Sequence, residues 1–363
     1  MAATRLILGT RKGVIILDAA GGGWTPRAAT QLGIPVPYAV SDPRSGRLWA
    51  SLDHGHWGQK LVHSDDDGAT WAEVAAPVYP EGEELKPGKP ASLRLIWVIT
   101  PGPADQPGRL WLGTEPGGLF RSDDGGGSWQ LVESLWRHPS RPDNWFGGGR
   151  DEAGIHSVLV DPRDSRRVLV GVSCAGVFES RDDGVTWTTA NRGLKAGYLP
   201  DPDVDVGHDP HLVVGCPTNF DALWQQNHCG IFRSRDGGAN WSQVSEEGGP
   251  AHFGFAVAVD PADGDTAWVV PAIADECRVA VGGALCVSRS EDGGKTWTAL
   301  RKGLPQEHCY DIVFRHALDI DDSGRTLAFG STSGNLYVSG DRGDSWQCLG
   351  THFPPIYSVR FAQ

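Results

Sequence analysis

The chain has 363 residues, and its 49 Gly and 25 Pro against a single Met favour many tight turns over long helices. Its 45 acidic residues outnumber its 32 basic ones, and the net charge of -13 argues against nucleic acid or an anionic membrane as partner, since both attract a Lys/Arg surplus. A 39 % apolar share with 15 Trp supplies ample core, and no apolar run reaches the roughly 18 residues of a membrane-spanning helix.

The chain opens on "TRLILGTRKGVIILDAAGGGW", which reads as three strands closed by a Gly-rich turn at Trp24. "MAATRLILGTRKG" lacks the apolar core of a secretory signal. The seven cysteines (Cys174, Cys216, Cys229, Cys277, Cys286, Cys309 and Cys348) are odd in number and show no C-x-x-C spacing. Together these features predict a reduced, cytoplasmic setting.

From residue 64 onward one phrase recurs. It is S-x-D-x-G-x-x-W, found at Ser64/Asp66/Gly68/Trp71, Ser122/Asp124/Gly126/Trp129, Ser180/Asp182/Gly184/Trp187, Ser234/Asp236/Gly238/Trp241, Ser290/Asp292/Gly294/Trp297 and Ser339/Asp341/Gly343/Trp346. The pattern suits a turn between antiparallel strands. The Asp carboxylate accepts from the turn's own N–H groups, Gly supplies a positive φ, and Trp packs its apolar body beneath the hairpin. The tryptophans recur every 49 to 58 residues, with strand-like text such as "HSVLVDP" and "RVLVGVS" between them. That period predicts one four-stranded sheet per repeat, set radially as an all-β propeller.

The motif resembles the Asp-box (BNR) repeat of sialidases and sialidase-like propellers, and the resemblance runs the length of the chain. "PPIYSVRFAQ" at the end reads as an innermost strand that completes the blade begun at the N-terminus. The expectation is therefore a single seven-bladed propeller over 1–363, with six blades as the alternative. Its blades cover roughly 352–363 plus 1–26, 34–75, 91–133, 151–190, 208–245, 250–301 and 306–349. In such a ring the repeated turns share one face. The connections that enter each innermost strand share the other, so the chemistry is expected opposite the boxes.

On that opposite face the text gathers polar groups in chain order: "LDHGHWG" (His54, His56), "GTEPGG" (Glu115), "GGGRDEAGIHSV" (Arg150, His156) and "GVSCAG" (Cys174). There follow "DVGHDPHLVV" (His211), "QQNHCG" (His228, Cys229), "GPAHFGFAVA" (His252) and "PQEHCYDIVF" (His308, Tyr310, Asp311). His156, His211 and His228 come from adjacent blades, and three imidazoles with an open position suit Zn, Fe or Cu. Glu115, Cys229, Tyr310, Asp311 and Arg150 are the candidates for acid/base, nucleophilic or substrate-positioning roles. No nucleotide cofactor is expected. The segment "WRHPSRPDNWFGGGRDEAG" reads as a flap over the mouth, and "EGEELKPGKP" as a solvated rim loop.

The sialidase resemblance implies an arginine cluster that clamps a carboxylate, but its Arg-Ile-Pro motif is absent. "LRLI" around Arg94 is the nearest text, and Arg11, Arg150 and Arg315 follow no matching spacing. Three readings fit the sequence. The first is an enzyme on a small molecule, metal-dependent or hydrolytic, in the His-rich funnel. The second is a sialidase-superfamily glycoside hydrolase acting on glycans, and the third a non-enzymatic scaffold or assembly factor.

Overall fold

The computed structural model describes residues 3–362. Among them, seven sheets of four principal strands follow one another along the chain, and each runs antiparallel from an innermost strand A to a peripheral strand D. The innermost strands are Tyr38–Ser41, Leu95–Pro101, Ile155–Asp161, Pro210–Cys216, Gly254–Val259, Leu318–Ile320 and Ile356–Ala362. Each touches the next, and Ile356–Ala362 touches Tyr38–Ser41, so the ring closes on itself as a seven-bladed propeller. We number the blades 1 to 7, starting with the one that holds both ends.

Blade 1 joins Arg5–Thr10, Gly13–Ala20 and Gly23–Thr30 to Ile356–Ala362, with Arg5 opposite Ala362 and Leu8 opposite Val359. This closure gives strand Arg5–Thr10 its inner partner. Every blade is covered by two neighbours, so its middle strands are buried on both faces rather than alternating. Leu110–Glu115 is buried at all six positions, and Trp49, Trp111, Trp224 and Trp268 on second strands are among the largest buried side chains. The apolar area hidden between blades dominates the stability of such a ring.

The six repeated turns share one geometry. In the first, Asp66 Oδ1 accepts from the Ser64 hydroxyl (2.8 Å) and the Thr70 N–H (2.8 Å), while Oδ2 accepts from the Thr70 hydroxyl (2.6 Å). The Gly68 N–H donates to Ser64 Oγ at 2.8 Å. Two successive residues are left-handed: Asp67 at φ 61° and Gly68 at φ 86°. The tryptophans do more than close their own hairpins. Trp71 Nε1 donates to Gly68 O within its turn, whereas Trp241 and Trp297 reach Ala190 O and Val244 O of the preceding blade.

Two rim segments depart from expectation. The segment after blade 3 forms short helices at Glu133–Trp136 and Arg141–Asn144, pinned by Arg141, whose guanidinium stacks 3.6 Å from the Trp136 ring and donates to Gly117 O. "EGEELKPGKP" is not a free loop. It folds into a hairpin, Glu84–Lys86 with Lys89–Pro90, and Glu83 accepts from Trp136 Nε1 at 2.7 Å.

Candidate active site

The A strands enter the axis from the face opposite the boxes, and their first residues, with the B–C turns, line a cavity of 890 Å³. Blade 5 supplies its centre. Asp209 immediately precedes strand Pro210–Cys216 and His211 lies two residues on, so the alternation of a strand places both toward one side. His228 comes from the B–C turn of the same blade, and its N–H donates to Asp209 O.

Neighbouring blades fix these side chains. Asp209 Oδ1 accepts from the Ser173 hydroxyl (2.9 Å) and the Cys174 N–H (3.0 Å), both on the B–C turn of blade 4, where Cys174 takes a left-handed φ of 56°. His211 Nδ1 lies 2.6 Å from Gly254 O in blade 6, and its ring stacks on Phe255 with centroids 4.5 Å apart. A carbonyl can only accept, so Nδ1 carries the proton. The other carboxylate oxygen, Asp209 Oδ2, faces His211 Nε2 at 3.5 Å and His228 Nδ1 at 3.7 Å. The ligand atoms of Asp209, His211 and His228 all lie within 4.8 Å of one another.

Electrostatics separate these groups. Burial alone would raise the Asp209 carboxyl, but His211 and Arg315 outweigh it and hold the group well below the usual carboxylate range. Burial lowers His211, against the raising pull of the Asp209 carboxylate beside it. Arg315 is sandwiched between Trp97 (5.0 Å) and Phe255 (5.3 Å), and its Nε has no hydrogen-bond partner among the described residues. Burial depresses its guanidinium to about 10, which still leaves it charged. Arg150 also lies over the Trp97 ring, at 5.2 Å, and ion-pairs with Glu115, while Arg278 lies over Phe255 and pairs with Asp275.

The expected residues sort as follows. His211, His228 and Arg150 line the cavity, and Glu115 lies buried behind Arg150. His156 does not join the other two histidines. Its Nε2 meets Pro210 O at 2.7 Å and its Nδ1 meets Ser157 Oγ at 2.9 Å, so neither nitrogen is free to bind a metal. It belongs instead to a layer with His316, whose Nε2 meets His156 O. Both line a smaller cavity of 420 Å³ together with Val160, Val214, Val259 and Ile320 from the far ends of the A strands.

Tyr310 is 67 % exposed and lies outside the cavity. Asp311 is committed to scaffolding, accepting from the Ser331 hydroxyl (3.0 Å) and the Asn335 amide (2.8 Å). Cys229 is half-buried and off the cavity wall, and burial raises its thiol, which makes it a poor nucleophile. The expected flap contributes Phe146, Gly148 and Gly149 to the wall, yet it is packed through Trp145 rather than free. Asp209, Trp97, Phe255 and the stacked setting of Arg315 escape a reading that follows histidines. The spacing Asp-x-His in "GHDPH" was the available signal, because alternate strand residues share a face.

No family model matches the chain. It is 27 % identical over 329 residues to a xyloglucanase of Paenibacillus sp., covering 83 % of this chain and 28 % of that protein. It is 27 % identical over 229 residues to a sialidase of Bacteroides fragilis, covering 53 % of this chain and 39 % of the other. The chain thus spans less than a third of the length of that xyloglucanase. Among solved structures, the GH74 enzyme of Niastella koreensis superposes with a TM-score of 0.63 at 18 % identity, over 94 % of this chain and 51 % of that one. The structural likeness is one of propeller fold.

Proposed function

We propose that the chain acts on glycans, as a hydrolase whose chemistry sits in the 890 Å³ funnel. Similarity over 83 % of the chain to a xyloglucanase is the observation that carries this reading, in preference to an enzyme for small metabolites. The funnel offers what a sugar needs. Tyr357 offers a partly exposed aromatic ring on the wall, and Arg11, Arg150, Arg278 and Asp53 offer hydrogen-bonding groups around it. Asp53 and Asp275 bring carboxyl groups to the funnel wall, and glycosidic cleavage uses a pair of carboxyl groups on either side of the bond. Seven free thiols support a reducing, cytoplasmic setting.

The purified chain is incubated with xyloglucan, mixed-linkage β-glucan and sialyl-oligosaccharides, and new reducing ends are counted. The expected outcome is cleavage of at least one glycan class, lowered at least tenfold in Tyr357→Ala because an aromatic contact on the funnel wall is lost. Tyr357→Ala is first shown to melt cooperatively. A chain that neither cleaves nor binds any of these sugars, while remaining folded, overturns the glycan reading.

A further inference from the structure

We propose that Asp209, His211 and His228 form a binding site for one divalent transition metal of the zinc and iron(II) class, open toward the funnel. Three ligand atoms about 2.0–2.2 Å from a tetrahedral centre lie about 3.3–3.6 Å from one another. Asp209 Oδ2 stands 3.5 Å from His211 Nε2 and 3.7 Å from His228 Nδ1. These two separations are long for hydrogen bonds and close to the edges of a coordination tetrahedron, and the third edge, between the two imidazoles, is no more than 4.8 Å.

The orientation of His211 strengthens the case. Gly254 O holds Nδ1 at 2.6 Å, which turns Nε2 toward Asp209 Oδ2 and the funnel side of the site.

The surroundings are those of a metal site. Metal-binding imidazoles usually donate their second N–H to a carbonyl, as His211 does to Gly254, and ligating carboxylates are themselves held by donors. Asp209 Oδ1 is held by the Ser173 hydroxyl and the Cys174 N–H, which turns Oδ2 toward the histidines. Two imidazoles and one carboxylate leave at least one coordination position free, and all three residues line the 890 Å³ cavity. The site is therefore built to present the metal to a ligand from the funnel. It differs from a set drawn from histidines alone, because Asp209 stands where His156 was expected.

The inference is independent of the glycan reading, since metal uptake is measured without any sugar. The full chain is stripped with chelator, desalted, and titrated with Zn²⁺ in a calorimeter. A parallel titration with Co²⁺ is followed by its visible absorption, which reports nitrogen and oxygen ligation at a low-coordinate centre. The expected result is one equivalent bound by wild type, with affinity at least tenfold weaker in Asp209→Asn, His211→Ala and His228→Ala. Ser173→Ala, which touches the metal only through Asp209, should weaken binding about tenfold, as outer-shell changes do. His228 sits on a partly exposed turn, so His228→Ala is the variant that keeps the fold, checked by its melting curve. A wild-type chain that takes up no stoichiometric Zn²⁺ or Co²⁺ overturns the site. So does His228→Ala binding as tightly as wild type.

Discussion

At the scale of single residues, the glycine of a repeated turn can be set by two constraints at once. Gly126 has φ 88°, a conformation costly for any residue with a Cβ, and a methyl group there would meet Cη2 of Trp49 from the preceding blade at 2.5 Å. Gly21 in blade 1 is also left-handed, at φ 58°, but a methyl group there would meet nothing within 4 Å. Gly21→Ala should therefore cost about 1–2 kcal/mol from backbone alone, whereas Gly126→Ala should add roughly 1–3 kcal/mol of overpacking. Chemical denaturation of the two variants checks this, and equal losses would show that the Trp49 contact is unimportant. The motif made the glycine legible in the sequence, since its positive φ is a local property. The clash with Trp49 was not, because it joins residues 77 apart through the stacking of two blades. The same division holds at the candidate site. His211 and His228 could be placed from their positions on an A strand and a B–C turn. The commitment of both His156 nitrogens to Pro210 and Ser157 is a contact that no periodicity contains.

At the scale of the element, the repeated turn is a joint between blades as much as the end of a hairpin. In five of the six turns, the residue just before the glycine is gripped by an arginine of the preceding blade. Arg5 holds Asp67, Arg109 holds Asp183, Arg167 holds Gly237 O, Arg233 holds Gly293 O, and Arg289 holds Arg342 O. Sequence alone yields the turn but not this clasp, since the arginines belong to another repeat and have no fixed spacing from the motif. The box aspartates also make the turn a proton-sensitive element. Hydrogen bonds from Thr70 and Ser64 hold Asp66 down to about 2, and backbone and side-chain bonds from Thr296 hold Asp292 at about 2. Their folded values lie below the ordinary carboxylate value near 3.8, so the folded state binds fewer protons than the unfolded one between these limits. The stabilisation is present above pH about 4 and is lost as pH falls toward about 2. Melting temperature should begin to fall below about pH 6.5, where the unfolded chain binds protons that buried His156, His211 and His316 take up only at lower pH. It should fall further below about pH 4, where the box aspartates titrate. Asp66→Asn should show a shallower fall over that window, and a wild-type curve flat between pH 4 and 2 would refute the assignment.

At the scale of the whole molecule, the seven-fold ring was readable because the repeats announce themselves and the two ends complement one another. The hydrogen-bonded register of Arg5–Thr10 against Ile356–Ala362 completes the expectation. Deleting residues 353–363 should leave the inner edge of blade 1 bare and lower the melting temperature by at least ten degrees. A synthetic peptide of sequence PPIYSVRFAQ should restore much of that loss by adding back the strand. A truncated ring that melts like the intact one would mean that the closure contributes nothing. Less of the funnel was legible than of the ring, because its wall is assembled from residues on several different A strands, turns and connecting segments. Trp97, Asp209, Phe255 and Arg315 read as ordinary strand text until the ring brings them together.

The shared blade also bears on how the chain is made. At roughly 5–20 residues per second, a ribosome needs on the order of tens of seconds to pass from residue 10 to residue 356. Throughout that interval the strand Arg5–Thr10 has its outer neighbour Gly13–Ala20 but lacks its inner one. Blades 2 to 7 can stack as they emerge, yet the first blade waits for the last strand, and its open edge is a template for pairing with another nascent chain. The protection of the N-terminal strand during synthesis is thus a matter of timing, and the ring becomes safe from its own kind only when its final strand arrives.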